Sequence, residues 1–111
     1  MAPTSLDLLQ GTVDVLILKT LSWEAMHGYA IATWIEQRSE GELDVADAAL
    51  YQALHRLERR GWITSEWGLS DNKRKAKYYR LTTTGRQQLR AEVSHIRRYV
   101  AALFKVLEQP A

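Results

Sequence analysis

Apolar residues recur every three or four positions along the first part of the chain. Leu9, Val13, Leu16, Ile17 and Leu21 share one helical face, which predicts a helix over residues 7–22. The stretch "WEAMHG" reads as a turn ending in Gly28. Ala30, Ile31, Trp34 and Ile35 then predict a second, short helix reaching about Ser39. "SEGELD" is a polar connector. Leu50, Leu54 and Leu57 form the apolar stripe of a third helix, which Asp44 or Asp47 can cap and which Gly61 can close in the left-handed region. Beyond it the period changes. "WITSEWGL" and "KYYRLT" alternate and are rich in aromatic and β-branched residues, so each reads as a strand. "SDNKRKAK" between them reads as the turn of a hairpin. A last helix opens at "TTTGRQQL", capped by Thr82 or Thr83, and runs nearly to Pro110.

The expected order is α-α-α-β-β-α. This is a mainly α fold with a small β-hairpin, and it matches a winged helix-turn-helix followed by a C-terminal dimerisation helix. The boundary falls between residues 1–82 and 83–111. In such an arrangement the third helix enters the DNA major groove and the hairpin flanks it.

The polar face of the third helix carries unusual content for a surface that only has to satisfy water. Opposite the leucines stand Ala48, Gln52, His55 and Arg59, flanked by Tyr51 and Arg56. A small residue lets the helix end approach a base edge. Gln52 can pair with adenine, and an arginine can contact guanine or phosphate. Tyr51 can donate its hydroxyl to a phosphate oxygen. The same face would also serve a solvated helix.

Charge shifts the balance between these readings. The net charge of the 111 residues is only +2. Residues 1–50 hold Lys19 and Arg38 against eight acids, whereas residues 51–111 hold thirteen basic residues against five acids. Such asymmetry points the second half toward a polyanion. Lys73, Arg74, Lys75 and Lys77 concentrate it at the expected hairpin turn, where crowded cations repel unless an anion such as duplex phosphate is near. Asp71 and Asn72 suit the turn itself.

In the last helix Leu89, Val93, Ile96, Val100, Leu103 and Leu107 are spaced 4, 3, 4, 3, 4. That heptad seam needs a partner helix. The first helix of the same chain and the last helix of a second chain are both candidates. We expect both to be used, which makes the protein a homodimer.

Other chemistry finds little support. His27, His55 and His95 lie in separate elements without metal-ligand spacing, and His27 reads as structural. There is no phosphate-binding glycine loop and no nucleophile motif, so neither enzyme, cofactor nor metal is expected. No cysteines, no apolar run of membrane-spanning length and no basic stretch at the N-terminus point to a cytoplasmic protein without a signal peptide. Trp23, Trp34, Trp62 and Trp67 read as core and hairpin packing, with an aromatic effector pocket as the alternative.

Four motifs stand in order and spacing: "LLQGTVDVLILKTL", "HGYAI", "LYQALHRLERRGWI" and "KYYRLTTTGR". Over nearly its whole length the chain resembles the small members of the PadR-like transcriptional regulators. The resemblance implies a winged-helix dimer that represses transcription. It also implies an interface built from the first and last helices, and a response to small, often aromatic or phenolic, effectors. The chain departs from the family pattern in the third helix. Ala48 and Ala49 stand where Gly then Thr or Ser is usual, and Gln52 stands where proline is common. The first change removes a hydroxyl that could bind phosphate, and the second adds a base-reading amide. Two function classes follow: a DNA-binding regulator, and a winged-helix module for protein–protein assembly. Salt-sensitive binding to duplex DNA separates them.

Overall fold

The structure is a computed structural model that describes residues 11–111. Among these residues four helices and three strands follow in the order α1 Thr12–Leu21, β1 Met26–His27, α2 Gly28–Arg38, α3 Asp47–Arg59, β2 Ile63–Leu69, β3 Lys75–Leu81 and α4 Thr83–Leu107. The mainly α, winged-helix expectation holds. The expected start of the first helix, with Leu9, lies outside the described residues.

Three local expectations need correction. "WEAMHG" is not only a turn, because Met26 and His27 form β1 and pair antiparallel with Tyr79 and Tyr78 of β3. The hairpin is thus part of a three-stranded sheet, ordered β1-β3-β2. Neither Asp44 nor Asp47 caps α3. Its N-cap is Ala46, which offers no side-chain hydrogen bond, and Asp47 sits in the first turn where its charge complements the helix dipole. The hairpin turn is also shorter than expected. Lys75 and Lys77 belong to β3, and the chain reverses over Ser70–Arg74. There the Lys73 amide donates to the Ser70 carbonyl, the Ser70 amide donates to that of Arg74, and Lys73 takes the left-handed conformation. This is the pattern of a turn followed by a one-residue bulge.

The ends of α3 and α4 are tied together. Gly61, at φ 76°, donates to the Glu58 carbonyl, and the Trp62 amide donates to that of Leu57, which closes α3 in a Schellman motif. Thr82 caps α4 by accepting from the Gly85 amide at 3.0 Å. The same hydroxyl donates to the Gly61 carbonyl at 2.8 Å. Gly85 is required at this crossing, because a Cβ there would lie 2.0 Å from the Trp62 carbonyl oxygen.

The core sits where α1, α2 and α3 meet the inner face of the sheet. Ile17, Leu18, Ile31, Leu50, Leu54, Leu57 and Ile63 are fully buried in it. Leu89 joins this core and Val93 packs against it, so α4 begins as a core element. Beyond Val93 every residue of α4 is exposed. This accounts for the elongated outline of 58 × 40 × 21 Å.

Candidate nucleic-acid interface

On α3, burial separates the two faces the spacing defines. Leu50, Ala53, Leu54 and Leu57 are buried, while Ala48, Tyr51, Gln52, His55 and Arg59 are all exposed. Arg56 differs from its expected place among them. Its Nε–H donates to Asp14 Oδ2 of α1 at 3.2 Å, and a second guanidinium nitrogen reaches Oδ1. The hydrogen bond to Asp14 raises the Arg56 pKa above its usual value, and desolvation offsets part of that rise. Arg60 completes the cluster at 3.8 Å from the same carboxylate. The pair therefore links the polar face of α3 to α1, a role that local spacing could not show across 42 residues.

The four hairpin cations also divide. Lys73 and Arg74 are exposed at the turn, and Lys75 is exposed on β3 with its ammonium 5.5 Å from the Trp67 ring centre. Among the described residues none of these three has a carboxylate within ion-pair distance. Lys77 does: it is half-buried and lies 3.6 Å from Glu58 of α3. Ser65 of β2 donates its hydroxyl to the other Glu58 oxygen. Glu58 thus fixes the hairpin against α3. Tyr79, between them, has its phenol pKa pushed up by burial and secondarily by the Glu58 charge.

A concavity of about 1160 Å³ lies among β1, the start of α2 and the hairpin, with Tyr51 of α3 at its edge. Tyr29, Tyr51, Trp67, Lys75 and Lys77 are among the residues that line it. Tyr51 rests on the start of α2, and a Cβ on Gly28 would meet its hydroxyl oxygen at 2.7 Å. The "HGY" and "LY" motifs therefore meet in space. His27 is structural, as expected: its Nδ1 accepts from the Ala30 amide at 3.2 Å and caps α2.

The tryptophans are less uniform than core packing implies. Trp34 and Trp62 pack against the core, but Trp23 and Trp67 are 64% and 63% exposed. Arg38 lies over both Trp23 and Trp34, at 5.6 and 5.2 Å. On α4 the expected seam also divides. Leu89 is buried and Val93 half-buried within the chain, whereas Ile96, Val100, Leu103 and Leu107 are exposed. Among the described residues no acid, histidine or cysteine cluster could hold a metal. No described helix is long and apolar enough to cross a membrane.

The model of the Transcriptional regulator PadR-like family matches residues 17–91, most of the chain. The chain belongs to the PadR-like family of transcriptional regulators. Members of this family are regulators and not enzymes. An uncharacterized protein of Lysinibacillus sphaericus is 31% identical to it over 83 residues, 75% of this chain and 76% of that protein. A PadR family transcriptional regulator from Eggerthella lenta superposes with a TM-score of 0.78 at 30% identity, covering 91% of this chain and 86% of that one. The Bacillus subtilis PadR crystallised in complex with operator DNA superposes with a TM-score of 0.65 at 25% identity. That match covers 73% of this chain and 46% of the longer relative. The family match therefore runs from the second half of α1 to the first part of α4.

Proposed function

We propose that this PadR-like regulator binds duplex DNA as a homodimer and represses transcription from an inverted-repeat operator. The observation that carries the reading is that two exposed features sit on elements tied to each other. Gln52, His55 and Arg59 are exposed on α3, and the cations of Lys73, Arg74 and Lys75 stand on a hairpin that Glu58 holds against that helix. A groove-reading helix beside a cationic finger suits major-groove entry with a flanking backbone contact. The operator complex of the Bacillus subtilis PadR supports the same use of the fold.

Ala48, Tyr51, Gln52, His55 and Arg59 form the reading face in this proposal, and Lys73, Arg74 and Lys75 the phosphate contacts. Arg56 and Lys77 serve mainly to hold α3 and the hairpin through Asp14 and Glu58. The dimer forms through the C-terminal segment 83–111, where Ile96, Val100, Leu103 and Leu107 of α4 leave an apolar face uncovered. A small aromatic effector would release the operator. Tyr99 and Phe104, half exposed on α4, are the aromatic groups beside the proposed interface.

The test is fluorescence anisotropy of a labelled duplex titrated with the protein at several salt concentrations. The proposal expects affinity to fall linearly on a log–log plot, with a slope of about −0.9 per phosphate contact. Salt-independent binding, or none, would leave the protein–protein module as the surviving reading.

A further inference from the structure

Tyr29 and Trp67 are large, aromatic and 77% and 63% exposed. Neither belongs to the reading face of α3 or to the hairpin cations. Both line the concavity among β1, the start of α2 and the hairpin, from different elements. Trp67 is directly opposite Lys77 in the β2–β3 ladder, and strand alternation puts Ser65 on the same face. Ser65 and Lys77 both contact Glu58 of α3, so the Trp67 side of the hairpin looks toward that helix. Tyr29 is the second residue of α2 and lines the same trough.

Geometry then decides what occupies the trough. If α3 lies in the major groove and the hairpin tip in the adjoining minor groove, one sugar–phosphate strand separates the two grooves. That strand has to cross the space between helix and hairpin. We propose that the trough is the channel for this strand and that Tyr29 and Trp67 grip it, an inference that rests on the DNA-binding reading above. The Tyr29 hydroxyl donates to a phosphate oxygen. The Trp67 indole packs on deoxyribose, with Lys75 holding its ring and its Nε1–H free to donate. Gly28, Tyr29 and Ala30 open α2 onto the trough, and the positive end of its dipole favours an anion there. Glu24 and Asp71 also line the space, so the lining is not uniformly cationic. Uncharged donors, which those acids do not neutralise, therefore carry a larger share of the grip.

The experiment is the same anisotropy salt titration on wild type, Tyr29→Phe and Trp67→Ala, with thermal melting of each. Each variant is expected to lose about tenfold in affinity, the scale of hydrogen bonds and packing against a charged partner. The loss should be equal on operator and random duplex, and the salt slope unchanged, because no cation is removed. Melting should hardly shift, since both side chains are exposed. Should Trp67→Ala melt early, Tyr29→Phe carries the test, because it removes one exposed hydroxyl only. Wild-type affinity in both variants overturns the channel while leaving DNA binding intact. Failure of the wild type itself to bind duplex removes the underlying reading instead.

Discussion

Two glycines at the scale of single residues have opposite expected consequences. At Gly85 a methyl group would meet the Trp62 backbone carbonyl, which is itself held by the Thr82 amide. Backbone cannot swing aside. Gly85→Ala should therefore destabilise the fold by about 3 kcal/mol or more, read as a lowered melting temperature. At Gly28 the obstacle is the end of the Tyr51 side chain, which can rotate away. Gly28→Ala should melt close to wild type yet, under the proposed DNA-binding reading, bind duplex more weakly, because Tyr51 leaves its place on the proposed reading face. Gln52 adds a residue-scale test of specificity. Gln52→Ala should cost about 1–3 kcal/mol on the operator and little on random duplex, measured by competition anisotropy. Equal losses on both would show that Gln52 reads no base. The exposed face of α3 was legible because helical period alone sorts leucines from polar groups. The partners of Arg56 and Lys77 were not legible, because Asp14 and Glu58 are remote in sequence and meet them only after folding.

The hairpin is the element whose role is most separable. Its base is fixed by Glu58, Ser65 and Lys77, and its turn holds Lys73 and Arg74 in solvent. Replacing Arg74 and Lys75 by Ala leaves the base untouched, so the fold should survive. If all four side chains of a dimer contact phosphate, the slope of log K against log salt should flatten by up to about 4 units. An unchanged slope would make the basic run a solvated loop. The hairpin was legible from alternation and turn residues, but its limits were not. Cationic side chains in "KRKAK" resemble a loop in composition, and cross-strand pairing with β2 draws Lys75 and Lys77 into β3. The two-residue β1 was equally hidden, since Met26 and His27 are too few to show a period. A cap for α3 was expected from nearby carboxylates, yet α3 starts after Ala46 and is held instead by the core contacts of its leucines.

The whole molecule is held by one core, from which α4 departs after Val93. The heptad seam predicts one partner inside the chain and one outside it, and its first residues, Leu89 and Val93, pack on the core of their own chain. Spacing identifies an apolar face and says nothing of which neighbour covers each part. The exposed remainder predicts the assembly. Changing Ile96 and Val100 together to Asp should yield a folded monomer by sedimentation velocity, because these positions face solvent within the chain and a charged pair would be costly only in a buried interface. A wild type that sediments as a monomer at micromolar concentration would end the dimer proposal. Dimeric recognition of DNA, the central claim, is tested most directly by hydroxyl-radical footprinting on the promoter of the chain's own operon. The account predicts two protected half-sites related by a dyad, with centres about one helical turn apart, roughly 10 bp, and minor-groove protection beside each from the hairpins. A single unpaired footprint, or no protection at concentrations where the protein is dimeric, would contradict it.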